Sequence, residues 1–113
     1  MTIKKISPNE LYTKIINQDK VLLLDVRDAE KYEDFHIIGP SVESINVHKA
    51  TIFQLDENEE ASFPNLSKDK EIIVTCTTGN SAGKCAKILS ERNYEVTVLD
   101  GGLTAWKEYL GTK

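Results

Sequence analysis

The chain has 113 residues, of which 40% are hydrophobic and 28% charged, and a formal net charge of −4. This length suits a single domain over residues 1–113 with one modest core; the acidic balance lacks the basic stripe that neutralises nucleic-acid phosphates, and no apolar run approaches a membrane span. Cys76 and Cys85, the two cysteines, are too few for a disulfide framework and lack zinc-site spacing, so no metal or organic cofactor is expected and any chemistry falls to a thiol.

The first residues, Met1-Thr2-Ile3-Lys4-Lys5, lead into Ser7-Pro8-Asn9-Glu10 and not into an apolar secretory stretch, so the expected location is the cytoplasm. Ser7 as cap, Pro8 at the first helical position and Glu10 three residues after the cap predict a helix start. Leu11, Tyr12, Ile15 and Ile16 form its expected apolar face. Val21-Leu22-Leu23-Leu24-Asp25-Val26 is an unbroken apolar run holding one carboxylate, as in a strand buried on both faces. Asp28 is placed to cap a short helix that stops before Gly39-Pro40. Ser44 to Val47 then predicts a short strand, and His48 to Leu55 a weak helix with Ile52 and Leu55 inward. Residues 56–70 turn polar and acidic and read as a surface loop. Ile72 to Cys76 is a second buried strand, Thr77 to Asn80 a turn, and Ser81 the expected cap of a helix reaching about Asn93. Glu95 to Leu99 is another strand, after which Gly101-Gly102 breaks the chain before a helix carrying Leu103, Trp106 and Leu110. This alternation predicts an α/β domain on a mainly parallel sheet.

Reactive groups in parallel α/β sheets collect at the carboxyl ends of strands, where Cys76 falls. The segment Thr77-Thr78-Gly79-Asn80-Ser81 is short, polar and centred on a glycine, so its backbone can curl and turn several N–H groups toward one point. Such a nest at the positive end of a helix dipole favours a negative sulfur without any nearby base. Cys85 instead follows Ala82 and precedes Ala86 and Leu89 at helical spacing, which marks it as a small core residue.

Three segments in order resemble the rhodanese family. Leu23-Leu24-Asp25-Val26-Arg27, with Glu30, Tyr32, His36-Ile37, Gly39 and Ile45-Asn46-Val47, resembles the leading signature. Ile73 through Ala82 resembles the active-site strand and loop, and Val98-Leu99-Asp100-Gly101-Gly102-Leu103 with Ala105-Trp106 the closing signature. The resemblance implies a three-layer α/β/α rhodanese-like fold with a five-stranded, mainly parallel sheet. It also implies a sulfurtransferase that takes a sulfane sulfur on Cys76 as a persulfide and passes it to a thiol or other nucleophile. Thr77, Thr78, Gly79, Asn80 and Ser81 would then bind the sulfur or its anion, with Asp25 and Arg27 holding the surrounding loops. His36 is expected to pack and hydrogen-bond, with no role as a base. The implied partners are a sulfane-sulfur donor, whether thiosulfate, a small persulfide or a protein persulfide, and a thiol acceptor.

The chain departs from the family pattern where arginines commonly follow the cysteine and end the loop; it has Thr77 and Ser81 there. A guanidinium suits an oxyanion donor, so weak thiosulfate:cyanide activity is expected, with Lys84 the nearest cation in sequence. The link Gly39 to Ser44 is slightly long and is expected to alter one wall of the site, and Gly83 to permit a close backbone approach. A cysteine phosphatase on a related architecture needs an arginine where this chain has Ala82, without which phosphoryl transfer loses its charge stabilisation. A non-catalytic rhodanese-like module that binds a partner or senses redox state is the remaining alternative.

Overall fold

The computed structural model describes residues 3–54 and 69–112. The chain runs β1 (Lys4–Ile6), α1 (Pro8–Ile16), β2 (Val21–Asp25), α2 (Ala29–Asp34), β3 (Val42–Asn46), α3 (Lys49–Phe53), β4 (Ile72–Thr75), α4 (Asn80–Glu91), β5 (Val96–Leu99) and α5 (Gly102–Gly111). Five strands form one sheet in the order β1-β5-β4-β2-β3, and every pairing is parallel. Consequently all strand carboxyl ends, and the loops that leave them, gather along one edge of the sheet.

Side chains on β2 alternate between two cores. Leu22 and Leu24 join the cluster under α3 and α4, with Ala82, Cys85, Ala86 and Leu89, whereas Leu23 joins Leu11, Leu103 and Trp106 beneath α1 and α5. Two buried faces explain why β2, β4 and β5 are mostly apolar without alternation. The helices covering them complete the three-layer α/β/α arrangement.

The start of α1 is as its sequence dictates: Ser7 Oγ accepts from Glu10 N while Glu10 Oε1 accepts from Ser7 N, a reciprocal cap worth about 1 kcal/mol. Elsewhere the structure differs from expectation. The sequence reading located four strands; the fifth is β1, whose two lysines conceal it and whose short charged edge discourages pairing with another sheet. β3 begins at Val42, two residues before the expected Ser44. Ile16 is 59% and Leu110 37% exposed; they are the last residue of α1 and the last but one of α5. Leu55 and residues 56–68 lie outside the described residues.

Candidate active site

Cys76 is the first residue after β4 and is 5% exposed. Its Sγ accepts hydrogen bonds from Gly79 N at 3.0 Å and Ala82 N at 3.3 Å. The left-handed conformation at Gly79, with φ of 100°, turns the chain so that both amides converge on the sulfur. Gly79, not Ser81, is the N-cap of α4, and no side-chain oxygen caps that helix. The cysteine sulfur takes that place, accepting amide groups that a helix start otherwise leaves unpaired. The expected nest therefore includes Ala82, one residue past the predicted loop.

The loop is held from below by α5. Leu103 N donates to Cys76 O and Thr104 N to Thr77 O, each at 2.9 Å. Both carbonyls are thus engaged by the start of α5. Gly102 makes this approach possible: its φ is 62°, and a Cβ there would lie 2.5 Å from Cys76 O and 2.7 Å from Thr77 O. The close backbone approach is accordingly at Gly102. At Gly83, where it was expected, an added Cβ meets nothing within 4 Å.

Asp25 and Arg27 brace the adjoining strand end. The Asp25 carboxylate, 2% exposed, accepts from Arg27 N and Nε at 3.0 Å and from Arg27 Nη2 at 2.7 Å. Arg27 also donates to Phe35 O, so its fork is engaged by the protein. Asn46 Nδ2 donates to Asp25 O and Arg27 O, and Val26 N donates to Thr75 O beside the cysteine. His36 stacks on Tyr32 with ring centroids 3.9 Å apart and bonds to Tyr32 O through Nδ1. That is packing and hydrogen bonding, as its position suggested.

Over Cys76 opens a pocket of about 150 Å³. Thr77, Thr78 and Ser81 form one side, while Asn80 is not among its lining residues. Arg27 and Lys31 come from the second strand end and α2, and His48 and Lys49 from the start of α3. Lys49 Nζ lies 3.5 Å from Ser81 Oγ. The cations of the site are therefore Arg27, Lys31 and Lys49, which sequence proximity to the cysteine could not suggest. Lys84, the expected nearest cation, lines a separate groove with Phe53, Lys87 and Glu91, because its position on α4 turns it away from the loop. The Gly39 to Ser44 link does not wall this pocket; Pro40, Ser41, Val42 and Glu43 line a cavity by the amino ends of β2 and β3.

Both cysteines are free thiols. Cys85 is fully buried, and burial, reinforced by the nearby Cys76 and partly offset by Lys49, pushes its thiol up from 9.0 to about 12. It stays a protonated core residue at neutral pH. No group of three or more potential metal ligands occurs among the described residues, and no described helix is long and apolar enough to cross a membrane.

A family profile described as rhodanese-like domain matches residues 7–109. The chain is 31% identical over 113 residues to the thiosulfate sulfurtransferase GlpE of Coxiella burnetii, spanning 99% of this chain and 94% of that protein. It is 32% identical over 111 residues to the adenylyltransferase and sulfurtransferase UBA4 of Candida albicans, covering 96% of this chain but only 24% of that longer protein. Among solved structures, a rhodanese-related protein from Thermoplasma volcanium superposes with a TM-score of 0.71 at 26% identity, covering 94% of this chain and 92% of that one.

Proposed function

Since the chain belongs to the rhodanese-like domain family, we propose that it is a sulfurtransferase carrying sulfane sulfur as a persulfide on Cys76 and delivering it to a thiol or other nucleophilic acceptor. The observation that carries this reading is the paired donation of Gly79 N and Ala82 N to Cys76 Sγ at the head of a twelve-residue helix. Backbone amides and a helix N-terminus stabilise a thiolate and also an anionic persulfide. Relatives bearing the name sulfurtransferase at about 30% identity agree with it.

In the loading step the Cys76 thiolate attacks the sulfane sulfur of the donor. The Sγ–S bond forms as the donor S–S bond breaks, and the bonding pair departs on the donor's remaining fragment. An acceptor thiolate then attacks the outer sulfur of the persulfide and returns Cys76 as a thiolate. Neither step requires a metal or an external oxidant. A reducing cytoplasmic setting suits a protein with two free thiols, and the donor is thiosulfate, a small persulfide or a persulfide on another protein. With Thr77 and Ser81 in place of loop arginines, thiosulfate is a weak donor.

Intact-mass spectrometry of the reduced protein after thiosulfate, and separately after a glutathione persulfide donor, tests the proposal. A one-sulfur adduct is expected in wild type and Cys85→Ser, absent in Cys76→Ser, and discharged by added thiol. The arginine-poor loop favours the second reading, a partner-binding module, and absence of an adduct from either donor would establish that reading against ours.

A further inference from the structure

The proposed reaction needs a charge partner for an anionic donor, and the active-site loop supplies none from its side chains. The pocket does, from a different part of the chain. Lys49 stands at the first position of α3, and its backbone is fixed there: Lys49 N donates to Val26 O at 2.9 Å, and Val47 N to Asp25 O at 3.1 Å. Its ammonium reaches across to Ser81 Oγ, the residue before Ala82, whose amide holds the sulfur. Lys31 lines the same pocket from α2. Among the described residues neither lysine has an ion-pair partner, whereas Arg27 is committed to Asp25. Asp28, the carboxylate lining this pocket, accepts from Lys31 N as the cap of α2.

We propose that Lys49, supported by Lys31, is the specificity-determining residue of the site, binding the anionic end of a small thiosulfonate-type donor while its sulfane sulfur meets Cys76 Sγ. The inference rests on the sulfurtransferase reading and names for it the residue that would hold an anionic donor. With thiosulfate, Sγ attacks the outer sulfur, the S–S bond breaks, and its electron pair leaves on sulfite, so charge grows on the oxygens beside Lys49. The cavity of about 150 Å³ accommodates so compact an anion. An ammonium on a flexible stem holds an oxyanion less firmly than a forked guanidinium, which is why donor use is weak and yet depends on this residue.

The test compares Lys49→Met, Lys49→Arg and the distant Lys84→Met with wild type. Rates of Cys76 adduct formation are followed by intact mass across thiosulfate concentrations, with uncharged dimethyl trisulfide as a second donor. Lys49→Met is expected to lower kcat/KM for thiosulfate roughly tenfold, mostly through KM, because charge-assisted hydrogen bonds are the strong ones. It should slow dimethyl trisulfide loading far less than thiosulfate loading, Lys49→Arg should restore thiosulfate use, and Lys84→Met should resemble wild type. Added salt should weaken thiosulfate use in wild type more than in Lys49→Met. Equal loss with both donors, or no loss with thiosulfate, overturns the assignment while leaving the sulfurtransferase intact. No wild-type adduct with either donor overturns both.

Discussion

Gly102→Ala should both destabilise the protein and slow sulfur loading at a residue that does not line the pocket. A non-glycine side chain at a φ of 62° costs about 1–2 kcal/mol. The new Cβ would also lie 2.5 Å from Cys76 O and 2.8 Å from Thr77 C. Those neighbours are backbone, so no side-chain rotation relieves the contact, and the start of α5 must retreat from the loop. Retreat stretches the bonds from Leu103 N and Thr104 N, each worth about 1 kcal/mol. Together the loss is about 3–4 kcal/mol, which for a chain this size lowers Tm by more than ~10 °C. With its carbonyls released the loop no longer holds its amides on Sγ, so thiosulfate loading in the folded protein should fall at least about fivefold, the equivalent of one bond worth about 1 kcal/mol. Calorimetry and intact-mass kinetics read the two effects. Gly83→Ala is the control, since its Cβ enters open space, and it should raise stability by up to about 1 kcal/mol. An unchanged Tm for Gly102→Ala refutes the steric argument; a lowered Tm with undiminished loading refutes the claim that α5 positions the loop.

Arg27→Ala strands the Asp25 carboxylate, 2% exposed, without its guanidinium and should cost about 3–5 kcal/mol by denaturant titration; Arg27→Lys should recover only part, because it loses the fork, and an unchanged midpoint would show that the brace contributes nothing. Iodoacetamide near neutral pH should alkylate Cys76 in the native protein and spare Cys85, as peptide mapping would reveal; rapid native labelling of Cys85 contradicts its burial. Because the folded Cys85 thiol is raised from 9.0 to about 12, its stabilising effect is complete below pH 9 and is lost as pH rises toward 12. At pH 10 the loss is about 1 kcal/mol, measurable as a steeper alkaline decline in wild type than in Cys85→Ala, and equal slopes would count against the shift.

Much of the architecture is legible because burial on both faces leaves a one-dimensional trace. The runs Val21 to Asp25, Ile72 to Thr75 and Val96 to Leu99 are buried along their whole length, and such strands are recognised by their mainly apolar content without alternation. β1 leaves no trace, since two of its three residues are exposed lysines and its pairing with β5 is decided at the far end of the sequence. Ser81 was a reasonable cap for α4, as serine favours that role, yet a sulfur six residues before Ala82 performs it. The place of Cys76 at a strand's carboxyl end could be read from the sequence alone. Lys31 and Lys49 could not, because their place beside Cys76 follows from β2 lying next to β4, and pairing order is a property of the assembled sheet. A lysine just after the Ile45-Asn46-Val47 strand end was the available signal.

The all-parallel sheet divides labour among the segments around the pocket. The atom that would bond to sulfur and the amides that hold it belong to one continuous stretch, Cys76 to Ala82, whereas the positive charges of Arg27, Lys31 and Lys49 come from the end of β2, from α2 and from the start of α3. On the proposed reading, selectivity for the donor and reactivity toward it would thus be mounted on separate pieces of backbone. If Cys76 is the reacting group, changes at α2 and α3 would retune which molecule is welcomed without disturbing it, and one reactive sulfur could then serve several donors across otherwise similar frameworks.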